Sequence, residues 1–150
     1  MASSPTKTGQ CLCGAIKYKL AGPSAKPYYN TVCHCLNCRR ATGSAFLLAS
    51  ICPRDGSKVT QGAEHQKEYC DIATDSGTKL KRDFCSQCGS KLFAYTPLWD
   101  EIVSVTAGTL DDFDSWVPDT EQWCVHRASF LTQTTTVSPD RTFDKAVQKE

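Results

Sequence analysis

The sequence has no long apolar run, no excess of charge of either sign and no pattern that predicts a helix longer than ten residues. Its longest apolar run, residues 45–49, is far shorter than the roughly 20 residues that span a bilayer. The 17 basic and 16 acidic side chains leave a net charge of +1, so no overall field attracts nucleic acid or a membrane surface. Residues 1–8 are polar and lack the apolar stretch of a secretory signal. We therefore expect a cytoplasmic protein without membrane or nucleic-acid partners.

Alternation of apolar and polar residues predicts a mainly β fold. In 15–20, Ile16, Tyr18 and Leu20 share one face of a strand and lysines occupy the other. This pattern and similar ones predict strands at 15–20, 28–32, 45–51, 65–70, 78–84, 91–95, 101–107 and 121–127. A helical turn is predicted at 39–43. The length suits one domain, which we place at 9–130 between terminal extensions at 1–8 and 131–150. The ends, 1–8 and 138–150, are expected to fray.

Seven of the ten cysteines fall into three closely spaced groups. These are Cys11-x-Cys13, Cys33-x-Cys35-x-x-Cys38 and Cys85-x-x-Cys88. A disulfide gives each cysteine one partner at about 5.5 to 6 Å between α-carbons, whereas zinc gathers several thiolates at about 2.3 Å. Short spacing and the absence of an export signal therefore favour zinc over disulfides.

Counting ligands predicts two zinc sites. Four thiolates close a tetrahedron, which predicts a structural site that joins the N-terminal strand to a distant loop. Its members are Cys11, Cys13, Cys85 and Cys88. The remaining group, Cys33, Cys35 and Cys38, offers only three thiolates, which predicts a catalytic site with an open corner for water or substrate.

The neighbours of this second group leave its fourth ligand open. His34 lies between two ligating cysteines and should point away from the metal, although it could still move a proton beside it. A second closed site, in place of an open one, remains the alternative. Candidates for its fourth ligand are Cys52, Cys70, Cys124, His65 and His126.

The charge of a three-thiolate site indicates its chemistry. Three thiolates on Zn²⁺ leave a net charge of −1, so zinc-bound hydroxide is disfavoured and an incoming thiolate is the better partner. Making or breaking a carbon–sulfur bond is therefore the natural hypothesis. Arg39 and Arg40 could bind the carboxylates of a glutathione-like ligand. The tryptophans Trp99, Trp116 and Trp123 could line a pocket.

Four ordered motifs resemble the glutathione-dependent formaldehyde-activating enzyme family, which also includes centromere protein V. They are Gly9-x-Cys11-x-Cys13-Gly14, Cys33-His34-Cys35-x-x-Cys38 followed by Gly43, Phe84-Cys85-x-x-Cys88-Gly89, and Gly108-Thr109-Leu110-Asp111. The resemblance covers residues 9 to about 130. It implies a β-tent fold of small antiparallel sheets with zinc knuckles, one structural and one catalytic zinc on the cysteines named above, and condensation of formaldehyde with glutathione by enzymes classed as carbon–sulfur lyases.

One segment departs from the family pattern. Where the family often has His-Ile after a proline, this chain has Glu121 and Gln122, so the pocket wall is expected to differ. The leading hypothesis is a zinc-dependent carbon–sulfur lyase or thiol-adduct-forming enzyme acting on a glutathione-type thiol and a carbon electrophile, either formaldehyde or a larger substrate. The alternatives are a non-catalytic, zinc-stabilised binding module and a redox-sensing thiol protein.

Overall fold

The computed structural model describes residues 3–148, which form ten strands and one α-helix. The strands are β1 (Thr6–Gln10), β2 (Lys17–Ala21), β3 (Tyr29–Cys33), β4 (Leu47–Pro53), β5 (Ser57–Gln61), β6 (Gln66–Asp71), β7 (Leu80–Cys85), β8 (Lys91–Thr96), β9 (Trp99–Thr106) and β10 (Thr120–Gln122). The helix α1 is Leu36–Thr42. Short 3-10 helices span Gly22–Ala25, Ala63–His65, Ala107–Thr109, Phe113–Ser115, Cys124–His126 and Pro139–Arg141. The prediction of a mainly β fold is confirmed.

The strands form two sheets. The small sheet has the order β1-β2-β5 and is antiparallel throughout. The large sheet has the order β10-β3-β4-β9-β8-β7-β6, and its pairs are antiparallel except for β10 with β3. Among residues 3–148, no helix combines the length and apolar composition needed to cross a membrane.

The two faces of the large sheet serve different purposes because side chains alternate along each strand. Val103 and Val105 of β9 pack with Tyr18 and Leu20 of the small sheet in the main core. Ile102, on the other face of β9, belongs to a second apolar cluster. Along β4, Leu47, Ala49 and Ile51 also belong to this second cluster, whereas Cys52 belongs to the main core. One face thus carries the core and the other is available for a site.

Three local expectations were wrong. Strands β1 and β5 were not predicted, and residues 6–8, which were expected to fray, pair with β2. The strand predicted at 121–127 ends at Gln122, because Trp123 adopts a left-handed conformation (φ 58°) and a 3-10 helix follows. The C-terminal segment packs against β10, since the amide of Phe143 donates to the carbonyl of Glu121.

Candidate metal centres and the adjoining cavity

The four-cysteine group lies where the small sheet meets the large one. Cys11 and Cys13 follow β1, Cys85 ends β7 and Cys88 lies in the turn before β8. Their four sulfur atoms lie within 4.8 Å of one another, with 3.6 Å between Cys11 and Cys13 and 3.9 Å between Cys13 and Cys85. Sulfurs at 2.3 Å from one tetrahedral ion are about 3.8 Å apart. The donor set and its spacing therefore fit Zn²⁺.

The local structure around Cys88 favours its thiolate form. Gly89 has φ 75°, which lets the chain turn back directly after Cys88. The hydroxyl of Ser90 lies 3.2 Å from the sulfur of Cys88 and accepts a hydrogen bond from the amide of Leu12. Hydrogen bonds from the side chain and backbone of Ser90 lower the pKa of Cys88 to about 5. A thiol with this pKa is deprotonated at neutral pH, as metal binding requires.

The three-cysteine group is built by the end of β3 and the start of α1. Cys35 is the N-cap of the helix, and its sulfur accepts a hydrogen bond from the amide of Cys38 at 3.2 Å. The sulfurs of Cys33, Cys35 and Cys38 lie within 4.8 Å of one another. Within residues 3–148, no other cysteine, histidine or carboxylate joins this group. The three thiols fit a metal with one corner open.

The candidates for a fourth ligand lie elsewhere. Cys52 is buried in the main core and Cys70 is exposed on β6. Cys124 groups with His34 and Glu121 instead, and His126 lies in the wall of the cavity described below. His65 is partly exposed and lies 3.6 Å from Glu64.

Two cationic side chains, Arg82 and Lys91, act on the sulfur of Cys38. Hydrogen bonds from Cys33 and Cys35 hold the pKa of Cys38 well below its usual range, and the nearby cations Arg82 and Lys91 lower it further. Burial opposes this ionisation of Cys38. Burial and the charge of Arg82 also lower the pKa of Lys91 to about 8. Cys38 is therefore the thiol of this group whose ionisation its surroundings favour, with the cations Arg82 and Lys91 nearby.

Arg82 belongs to a buried network that the sequence did not reveal. Its Nη1 lies 3.9 Å from the sulfur of Cys38, and its guanidinium forms an ion pair with Asp71 at 2.9 Å. Asp71 also accepts from the side-chain amide of Asn37, which lies on α1 between two of the cysteines. Burial opposes ionisation of Asp71, but these hydrogen bonds hold its pKa below its ordinary value. The network fixes α1 to β6 and β7.

His34 turns away from the three sulfurs, as expected. Its Nε2 lies 2.6 Å from Oε1 of Glu121, and both side chains are 1% exposed. Glu121 also accepts from Nε of Arg127 and from the amide of Thr134. Burial opposes ionisation of Glu121, but the hydrogen bond from His34 and the contact with Arg127 lower its pKa. His34 does not line the cavity beside the sulfurs.

A cavity of about 970 Å³ opens beside the three-cysteine group. All three cysteines line it, and so do Trp99 and Trp123, whereas Trp116 packs on Phe113 and donates to Ser50 outside it. Gln122, one of the two β10 residues that depart from the family pattern, also lines the cavity. Residues 145–148 of the C-terminal segment complete the lining.

The arginines named from sequence are not the ones at this cavity. Arg39 and Arg40 are exposed on α1, and neither lines the cavity, whereas Arg82 does. The sequence held one signal for Arg82, because it shares a strand face with Leu80 while Lys79 and Lys81 occupy the other face.

Comparison with known proteins identifies the class that this fold and these cysteine groups define. The profile of the glutathione-dependent formaldehyde-activating enzyme family matches residues 6–126, so the chain belongs to that family. It is 32% identical over 106 residues to a Halomonas elongata protein named after the same activity, covering 69% of this chain and 64% of that protein. The chain thus spans less than two thirds of the length of this relative.

A solved structure shares the fold. The crystal structure of a Rhodobacter sphaeroides protein superposes with a TM-score of 0.55 and 24% sequence identity, covering 69% of this chain and 87% of that one. At this identity the likeness concerns the fold alone.

Proposed function

We propose that the chain is a zinc-dependent enzyme that forms or cleaves a carbon–sulfur bond between a glutathione-type thiol and a carbon electrophile. The observation that carries this proposal is the three-cysteine group with no fourth protein ligand among residues 3–148, facing a cavity. Cys33, Cys35 and Cys38 would hold the catalytic zinc, and Cys11, Cys13, Cys85 and Cys88 the structural one. Bound zinc would supply a site that holds a sulfur as thiolate at neutral pH.

The protein side chains orient and balance this site. Arg82 and Lys91 place positive charge beside the sulfurs, which offsets the net charge of a three-thiolate centre. His34 acts through position: its bond to Glu121 fixes the backbone between Cys33 and Cys35. In the forward direction the thiol sulfur bonds to a carbonyl carbon, the π electrons move to oxygen, and the proton released by the thiol is matched by one taken up by the oxygen. The reverse is the lyase reaction.

Family membership supports the thiol and the carbonyl substrate in this proposal. Seven thiols that must remain reduced to bind metal favour a reducing compartment such as the cytoplasm.

Binding of a thiol to the cobalt-substituted protein tests the proposal. We expect two metal ions per chain and, after cobalt substitution, an absorption spectrum that changes on addition of glutathione. Cys35→Ser should retain one ion and lose the change, while Cys70→Ser, which alters an exposed cysteine outside both groups, should behave as wild type. An equal response in Cys35→Ser would contradict the proposal. Two ions without any thiol response would favour the zinc-stabilised binding module.

A further inference from the structure

The cavity is much larger than formaldehyde needs. Its volume is about 970 Å³, at the upper end of the range of about 300 to 1,000 Å³ for small-molecule sites. A water molecule takes about 30 Å³ of liquid, and formaldehyde is only slightly larger. Most of the volume must therefore serve other parts of the ligands.

An apolar wall begins at the sulfur atoms. Cys33 and Cys38 belong to the same buried cluster as Leu47, Ala49 and Ile51, which are alternate residues of β4 on the cavity side. Ile102 of β9 extends this wall, and the rings of Tyr29, Trp99 and Trp123 pack against the cluster and line the cavity. A charged, hydrophilic tripeptide such as glutathione gains little from such a surface, because apolar burial stabilises only apolar groups.

Exposed apolar side chains continue this surface at the rim. Leu36, Leu98 and Val125 are 43%, 63% and 64% exposed, and all three line the cavity. They come from α1, from the turn between β8 and β9 and from the 3-10 helix after β10. Apolar residues from three separate elements thus meet at one opening, where a bound apolar group would remove them from water.

A polar section of the lining comes from other elements. Thr74, Asp75, Ser76 and Thr78 lie in the loop between β6 and β7, Arg82 lies on β7, and Lys145 lies in the C-terminal segment. This section offers hydroxyls, the cations Arg82 and Lys145 and the carboxylate of Asp75, which suit the amides, carboxylates and ammonium group of a peptide thiol. The cavity therefore offers different surfaces to the two partners of a carbon–sulfur bond.

We propose that the carbon partner is an aldehyde whose substituent is apolar and of about aromatic size, packed against Trp99 and Trp123 with its carbonyl carbon next to the three sulfurs. This inference rests on the proposed function. The reaction is the same addition: the S–H bond and the carbonyl π bond break, a carbon–sulfur bond forms, and the carbonyl oxygen takes up a proton to become a hydroxyl. A thiol and an aldehyde thus give a hemithioacetal without an oxidant or reductant.

Two stable thioethers test the apolar surface directly. We expect S-benzylglutathione to bind the zinc-loaded protein at least ten-fold more tightly than S-methylglutathione, because binding removes the apolar surface of both the benzyl ring and the cavity wall from water. The fluorescence of Trp99 and Trp123 reports the dissociation constants. Val125→Asp should weaken binding of the benzyl compound several-fold and leave the methyl compound unchanged. Val117→Asp is the matched control, since Val117 is 52% exposed and is not among the residues that line the cavity.

The experiment separates this inference from the proposed function. In Cys35→Ser the apolar wall is intact, so the preference for the benzyl compound should persist even where the response to thiol is lost. Equal affinities of the two thioethers for wild type would overturn the inference, whatever the cobalt experiment shows. It would also be overturned if Val125→Asp converted a dimer into a monomer on size-exclusion chromatography without altering ligand binding, because the rim would then be an interface between copies of the chain.

Discussion

A buried ion pair next to Cys38 is the residue-level feature that most affects the three-cysteine group. The side chains of Arg82 and Asp71 are each 9% exposed, and they stand between α1 and the sheet edge. Placing charge there costs desolvation energy, which is offset only while both partners and their hydrogen bonds are present. The pair therefore holds the metal-binding helix in place only as a complete unit.

Replacing Arg82 tests this dependence. Arg82→Gln leaves the Asp71 carboxylate buried without its cation, so the free energy of unfolding should fall by about 3 kcal/mol in urea denaturation. The double variant Asp71→Asn/Arg82→Gln should recover part of that loss. Lys81 lies on the same strand as Arg82 and forms an exposed ion pair with Glu68 of β6. Lys81→Gln should therefore cost less than about 0.5 kcal/mol. Equal losses for Arg82→Gln and Lys81→Gln would contradict a structural role for the buried pair.

The sequence predicted the cysteine groups but not their surroundings. Short spacings such as Cys85-x-x-Cys88 carry their geometry in the local chain, and the grouping of two distant pairs follows from counting ligands. The pair of Arg82 with Asp71 depends instead on the register of β6 and β7, in which Arg82 lies opposite Tyr69. Arg39 and Arg40 directly follow Cys38 in sequence, but helical periodicity directs both side chains to solvent.

At the level of elements, alternation along the strands predicted the strands correctly only in part. Strand β2 shows clear alternation and was predicted, since Tyr18 and Leu20 are buried and Lys17 and Lys19 exposed. Strand β4 is covered on both faces, so its sequence is mostly apolar and does not indicate which face belongs to the cavity. Strand β5 lies at the edge of the small sheet with mostly polar residues, and no periodicity indicated it.

The turn after β5 depends on a glycine. Gly62 has φ 77°, and a β-carbon there would overlap the carbonyl oxygen of Ala15, which leads into β2. Gly77 has φ 72° with no atom within 4 Å of such a β-carbon. Gly77→Ala should therefore cost about 1 kcal/mol for the left-handed backbone alone, and Gly62→Ala roughly 1 to 3 kcal/mol more for the overlap. Thermal unfolding of the two variants measures the difference, and equal melting temperatures would show that β2 and β5 can separate without cost.

At the level of the whole molecule, the four-cysteine group joins two sheets that share no strand pairing among residues 3–148. Cys11 and Cys13 extend from the small sheet, while Cys85 and Cys88 belong to the large one. Apolar contacts of Tyr18 and Leu20 with Phe93 and Val105 complete the junction. The sequence predicted this link between distant segments, but not the cover that residues 143–147 provide over β10, because that segment has no regular pattern and is held by backbone hydrogen bonds.

Removing one sulfur from this junction should destabilise the whole chain. Cys13 is exposed, so Cys13→Ser removes little packing and acts mainly through the metal. Structural zinc contributes roughly 10 to 16 kcal/mol to coupled folding, and losing even a third of it should lower the melting temperature by about 10 °C or more. Hydrogen exchange should rise first in β1, β2 and β5, because these strands lose their attachment to the large sheet while β3, β4 and β9 keep their pairing. Cys70→Ser makes the same chemical change at another exposed cysteine and should leave the melting temperature and the exchange pattern unchanged. If the two variants have the same melting temperature, the four sulfurs do not hold a metal that links the sheets.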